Sequence, residues 1–241
     1  MRNSANFANF LKAFIFLFAT SITFRIILTA SRRIMTNSSE NGTSGRGALI
    51  VFEGMDRSGK STQARRLLNH INATTKHGAI LQPFPDRNEP IGQLIDRYLK
   101  REIDFSERAL HLAFSANRWQ KEPLILETIN KGVDVICDRY AFSGVAYSLA
   151  KGLDRNWVRQ SDVGLPRPDI VLYFEISPEV AKSRGGFGEE RLEKEELQRN
   201  VAKEMQGLRR ENWIVNTVER DVRIAYENII KTKELGKLTE I

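Results

Sequence analysis

From Ala48 onward, short apolar runs alternate with amphipathic stretches. Ala48–Phe52 is continuously apolar and rich in β-branched residues, which predicts a buried strand. In Thr62–Ile71 the apolar residues Ala64, Leu67, Leu68 and Ile71 recur at helical spacing. Ile91, Leu94, Ile95, Tyr98 and Leu99 trace one stripe of a second helix, and this whole stripe is expected to face the core. The same reading predicts strands over 48–53, 79–84, 133–137, 170–176 and 213–216. It predicts helices over 60–71, 90–100, 106–120, 123–131, 142–151, 155–162, 178–184, 195–212 and 221–235. Ser106 and Ser177 stand at N-cap positions, Pro178 suits a first helical position, and Gly132 suits a helix stop. Strands interleaved with helices specify an α/β fold, a five-stranded parallel sheet with helices on both faces.

Residues 1–47 break the pattern. Residues 1–39 carry Arg2, Lys12, Arg25, Arg32 and Arg33 but no acid, and are rich in Ser, Thr, Asn and Phe, as organelle transit peptides are. Their apolar centre, Ala13 to Phe24, falls short of the roughly 20 residues a spanning helix needs, so stable membrane insertion is not expected. It has the length of a signal-peptide core, although no clear small-residue cleavage site follows. Residues 36–47 read as a polar linker behind Met35, and initiation at Met35 would give a second, cytosolic or nuclear form beside a mitochondrial or plastid full-length form. The expected division is a targeting segment and linker over 1–47 and one catalytic domain over 48–241.

Charge changes meaning once it is divided. The formal net charge is +7, but five of the 37 basic residues lie in that acid-free stretch, leaving 32 basic against 30 acidic in the remainder. A nucleic-acid-binding role is therefore disfavoured. Cys137 is the only cysteine, and His70, His77 and His111 form no metal-ligand pair, which excludes a disulfide framework within the chain and a thiolate metal site. Sequons at Asn37, Asn41 and Asn72 matter only in a secreted chain.

Between the first predicted strand and helix lies Gly54-Met-Asp-Arg-Ser-Gly-Lys-Ser61, which fits G-x-x-x-x-G-K-[ST] in the required context. Gly54 and Gly59 allow backbone conformations that turn successive N–H groups inward around phosphate oxygens, and the helix N-terminus behind them adds positive potential. Lys60 is the expected contact to the β- and γ-phosphates, and Ser61 a ligand for Mg²⁺. This implies a P-loop NTPase-like three-layer fold that binds a nucleoside triphosphate.

Ligands in open α/β sheets collect beyond the carboxyl ends of the strands. The second strand ends in Phe84-Pro-Asp-Arg87, the third in Asp138-Arg-Tyr140 and the fifth in Asn216-Thr217. Asp138 is placed to orient Mg²⁺ and Arg139 to span phosphates, although an Asp-Arg pair here serves equally as a helix cap with a solvated neighbour. In Phe114-Ser-Ala-Asn-Arg-Trp119, Phe114 and Arg118 share a helix face and could address one base; the plainer alternative is a core Phe and a surface Arg. Arg184-Gly-Gly-Phe-Gly-Glu-Glu-Arg191 reads as a loop able to close on phosphates, or as an ordinary surface loop. A GTPase is disfavoured, since Asn130-Lys-Gly-Val-Asp134 has one residue too many for the guanine-reading N-K-x-D pattern.

Together, the strings Phe52–Gln63, Phe114–Trp119, Asp138–Ala146 and Asp162–Asp169 resemble the eukaryotic thymidylate kinases, the dTMP kinases of the nucleoside monophosphate kinase group, from about Ala48 to about Glu227. The resemblance implies phosphorylation of dTMP to dTDP by ATP with Mg²⁺, a homodimer, and a short helical lid over about 184–194. It further implies an ATP site built from Gly54, Arg57, Ser58, Gly59, Lys60, Ser61 and Thr62, with Arg184 near the adenine and Arg191 near the closing active site. For dTMP it implies Asp56 at the 3′-hydroxyl, Arg87 on the phosphate, Phe114 stacked on thymine, Arg118 on the base edge, and Tyr147 against the deoxyribose. Ser143, Gly144 and Gln198 complete that side, Arg139 bridges the phosphates, and Asp138 supports the metal. Leu192 and Leu197 depart from the family, in which an aromatic can stand at either position. Another nucleoside monophosphate or deoxynucleoside kinase is the alternative reading.

Overall fold

A computed structural model of the chain describes residues 45–183, 188–215, 222–224 and 226–227. The elements run β1 (Leu49–Gly54), α1 (Lys60–Thr74), β2 (Ala79–Pro83), α2 (Pro90–Leu99), α3 (Glu107–Trp119), α4 (Glu122–Asn130), β3 (Asp134–Asp138), α5 (Ala141–Ala150), α6 (Arg155–Gln160), β4 (Ile170–Phe174), α7 (Pro178–Ser183), α8 (Glu195–Leu208) and β5 (Trp213–Val215). The strands form one parallel sheet in the order β2-β3-β1-β4-β5. As the central strand, β1 is buried along its whole length, which is why its sequence shows no polar alternation.

The period of two in β1 still decides what each residue meets. Ala48, Ile50 and Phe52 pack with Ala64, Leu67 and Ile71 of α1 on one face of the sheet. Leu49 and Val51 pack on the other face with residues of α4, α5 and α8. The chain therefore leaves the adjacent strands β1 and β3 toward opposite faces, and a crevice opens at their carboxyl ends. A smaller cluster of Ile95, Tyr98, Leu99 and Leu110 joins α2 to α3 and forms the arm beside that crevice.

Local signals operate as expected at several boundaries. The Ser106 hydroxyl accepts from Ala109 N at 3.4 Å, Ser177 accepts from Val180 N at 3.3 Å, and Gly132 stops α4 at φ 81°. Other expectations are corrected. Leu94 is 44% exposed, because α2 rests on the arm cluster through Ile91, Ile95, Tyr98 and Leu99 and leaves Leu94 at the edge of the stripe. Helix α8 ends at Leu208 rather than 212, where the backbone becomes extended at Arg209 and turns into β5. Residues 188–194 of the expected lid form turns, with Gly188 at φ 92° and the Glu193 carboxylate capping the amides of Gly188 and Glu190 at 2.9 and 3.2 Å. Arg184, Asn216-Thr217 and most of the expected helix 221–235 lie outside the described residues.

Candidate active site

The phosphate loop follows β1 directly. A Cβ at Gly54 would lie 2.5 Å from the Phe174 carbonyl, so only glycine lets the loop pass this close to β4. Gly59 caps α1 in the left-handed region at φ 94°, which aims the first helical amides at the crevice. Lys60 is buried, its Nζ donating to the Met55 carbonyl at 3.1 Å and lying 4.0 Å from Asp56. Burial and the positive field of Arg139 push its ammonium down to about 8.

Glu53, which sequence reasoning overlooked, organises the far side of the loop. Its place in the β1 alternation directs it to the face where α5 begins. There Oε1 accepts from the amides of Tyr140 and Ser143, both at 3.0 Å, and Oε2 from the Ser143 hydroxyl at 2.5 Å. Burial raises its pKa, while these hydrogen bonds and Arg139 oppose the rise. Its place next to Gly54 at a strand end was the available signal. Ser143 in turn accepts from Arg139 Nη1 at 3.0 Å, and the same nitrogen reaches the Gly54 carbonyl at 3.0 Å.

Arg139 takes a left-handed backbone, φ 69°, as do Arg57 at 65° and Arg101 at 66°. Such conformations cost a side-chain-bearing residue stability and persist where the surroundings hold them. Arg139 Nη2 pairs with Asp56 Oδ1. Asp56 Oδ2 accepts from the Tyr147 hydroxyl and from Gln198 Nε2, both at 2.8 Å. Burial works against ionisation of Asp56, but Arg139, Lys60 and these hydrogen bonds outweigh it and hold the carboxyl below its usual range. A carboxylate accepts about four hydrogen bonds, so Asp56 retains capacity for a further donor.

One cavity of about 740 Å³ joins these groups to the arm. On the loop side it is lined by Asp56, Arg57, Gly59, Lys60, Ser61 and Thr62, and at the end of β3 by Asp138 and Arg139. On the arm side it is lined by Arg87, Phe114, Arg118, Ser143, Gly144 and Tyr147. Gly54, Ser58 and Gln198 do not line it, although Gln198 holds Asp56 and Tyr147 and the Gly54 carbonyl holds Arg139. Arg191 is not brought in; it pairs with Asp104, and its guanidinium stacks 4.3 Å from the centre of the Tyr98 ring. Leu192 lines the cavity from the turn region.

Arg118 is 2% exposed, which removes the surface-charge alternative. Its Nε and Nη2 donate to Asp162, the three contacts spanning 2.7 to 3.1 Å, and Asp162 also accepts from the Ser115 hydroxyl at 2.8 Å. Only Nη1 is left to address the cavity. His111 hydrogen-bonds Ser148 at 2.8 Å and Ser161 at 2.9 Å beneath it, and burial together with the charge of Arg118 lowers its pKa. Neither Asp162 nor His111 was singled out from sequence, since a distant buried partner leaves no local pattern.

Asp138 Oδ1 is buried and has no hydrogen-bond donor, an arrangement suited to a cation rather than to a helix cap. Arg87 is held at Nη1 by Asp96 at 2.5 Å and at Nη2 by Glu190 at 2.7 Å. Its loop is fixed by the buried Asn117, whose Oδ1 accepts from Asp86 N at 2.7 Å. No helix among the described residues is long and apolar enough to cross a membrane.

Comparison with known proteins agrees with this geometry. The thymidylate kinase family model matches residues 52–229. A thymidylate kinase from Caenorhabditis elegans is 54% identical over 212 residues, 81% of this chain and 97% of that protein. The human thymidylate kinase is 42% identical over 207 residues, 80% of this chain and 97% of the human protein. A solved thymidylate kinase from Candida albicans superposes with a TM-score of 0.71 at 34% identity, over 83% of this chain and all of that structure. The matching strand-end loops, the shared cavity and these similarities lead to one conclusion: the chain belongs to the thymidylate kinase family.

Proposed function

We infer that this chain transfers the γ-phosphoryl group of ATP to dTMP, giving dTDP and ADP. The observation that carries it is a shared cavity in which the phosphate loop faces an arm bearing Phe114, Arg118 and Arg87, an arrangement that supports two nucleotides meeting with their phosphates between Lys60 and Arg139. A dTMP phosphate oxygen is already a competent nucleophile, and its attack on the γ-phosphorus breaks the bond to the ADP oxygen. The protein's work is therefore alignment and charge neutralisation. Lys60 and the loop amides hold the donor, Arg87 holds the acceptor phosphate, and Arg139, fixed by Asp56 and Ser143, spans both. Phe114 stacks on the base, Nη1 of Arg118 reads its edge, and Asp56 and Tyr147 enclose the deoxyribose.

Ser61 and Asp138 would hold Mg²⁺, and the donor-free Asp138 Oδ1 fits that assignment. The ion would neutralise charge on the transferring phosphates. A homodimer is supported by the exposed Leu112 and Trp119, seven residues apart on one stripe of α3. Organellar import of the full-length form is supported by acid-free residues 1–39. Imaging full-length and Met35-start fusions tests it, identical distributions being the contrary result. For the activity itself, ADP release is measured with dTMP, dUMP, dCMP and thymidine. A clear preference for dTMP is expected, and preference for thymidine would overturn the reading.

A further inference from the structure

Arg101 carries a guanidinium where the backbone asks for glycine. It follows the C-cap of α2 at φ 66°, with its own N–H bonded to the Tyr98 carbonyl at 3.0 Å and the Glu102 N–H bonded to the Arg97 carbonyl at 2.9 Å. This is a Schellman turn, whose left-handed position is ordinarily filled by glycine because a Cβ is strained there. What the side chain does is plain from its contacts. It donates to three successive carbonyls of the turn region, those of Gly188 at 3.1 Å, Glu189 at 3.4 Å and Glu190 at 3.4 Å. Beside it the Arg191 N–H bonds to the Leu99 carbonyl at 2.9 Å. The end of α2 is thus a seat for residues 188–191.

The seated segment projects Glu190 onto Arg87. That guanidinium is 43% exposed, and a long exposed side chain samples many rotamers unless it is held. Asp96 and Glu190 engage one nitrogen each, and Lys100 pairs with Asp96 at 2.6 Å, so this small cluster balances its own charge. Two of the five guanidinium N–H donors are occupied, leaving three to meet a phosphate.

We propose that Arg101 and Glu190 are positioning residues that act through Arg87. Arg101 seats the 188–191 segment, and Glu190 then holds the Arg87 guanidinium in one orientation for the acceptor phosphate. The inference rests on the assignment of Arg87 to that phosphate. Ordering the guanidinium before the substrate arrives reduces the entropy lost when the phosphate binds.

The test is the dTMP KM at saturating ATP for Arg101→Gly, Glu190→Gln and Arg87→Ala, and for each of the first two combined with Arg87→Ala. Arg101→Gly keeps the turn and relieves its strain, so its melting temperature should equal or exceed the parent's. Both Arg101→Gly and Glu190→Gln should raise the dTMP KM roughly two- to fivefold, as partly exposed charged contacts do. In the Arg87→Ala background neither should add anything, because the group they position is gone. A rise that persists in that background would show a role independent of Arg87 and overturn the inference. A lowered KM for Glu190→Gln would overturn it too, since the carboxylate would then be competing with the phosphate. Parental KM in Arg101→Gly or Glu190→Gln alone would be equally contrary. Parental KM in Arg87→Ala alone would overturn the assignment of Arg87 itself, and the inference with it.

Discussion

Replacing Asp162 with Asn removes one charge from a pair that has almost no water. Arg118 is 2% and Asp162 1% exposed. The asparagine oxygen could still accept from Nε, but its NH₂ would face Arg118 Nη2, donor against donor, where an acceptor now lies at 2.7 Å. Removing one partner of a buried ion pair typically costs about 3–5 kcal/mol, because the remaining charge is left uncompensated. For a domain of this size each kcal/mol shifts the melting temperature by roughly 2–4 °C, so Asp162→Asn should melt roughly 6–20 °C below the parent. The same loosening should raise the dTMP KM by about tenfold, the loss of one charge-assisted hydrogen bond. Thermal unfolding followed by circular dichroism, with steady-state kinetics on the same preparation, measures both. A double variant, Arg118→Met with Asp162→Leu, separates the causes, since an apolar pair of similar volume should recover stability while base recognition stays lost. An Asp162→Asn protein that melts within about 2 °C of the parent and keeps its dTMP KM would refute the reasoning.

Three further outcomes are expected. Gly144→Ala places a methyl 2.7 Å from Arg118 Nη2, so the dTMP KM should rise while the ATP KM holds, and an equal change in both would count against this packing argument. Glu53→Gln should lower turnover by roughly 10- to 100-fold by loosening Ser143 and Arg139, with near-parental affinity for dTMP; an unchanged kcat would contradict it. Because Lys60 is depressed to about 8, its charge in the free protein is lost as pH rises through that value, and a bound polyphosphate restores it. ATP binding just above pH 8 should therefore take up protons, seen as a binding enthalpy that varies with the ionisation enthalpy of the buffer. Identical enthalpies across buffers would argue against a depressed Lys60.

The order of strands and helices was legible in the sequence because burial writes itself into periodicity. β1 is buried as a continuous run, α1 turns the stripe Ala64, Leu67 and Ile71 to the core, and Gly54, Gly59, Lys60 and Ser61 obey spacing rules set by phosphate geometry. Leu94 was misread because periodicity shows which residues share a face, not how much of that face another element covers. The partners of the site residues were not legible either. Glu53 meets Ser143 across 90 positions, Arg118 meets Asp162 across 44, and Arg87 meets Glu190 across 103. Sequence alone determined an α/β phosphate-binding chain and its chemical vocabulary, since those depend on local periodicity and backbone conformation. Only the tertiary structure decided that Arg118 is a buried, half-committed donor, that Arg139 is braced by Asp56 and Ser143, and that Arg191 turns away to Tyr98. These depend on which distant carboxylates and rings arrive within contact distance, and attraction between charges is fixed by separation in space, not along the chain.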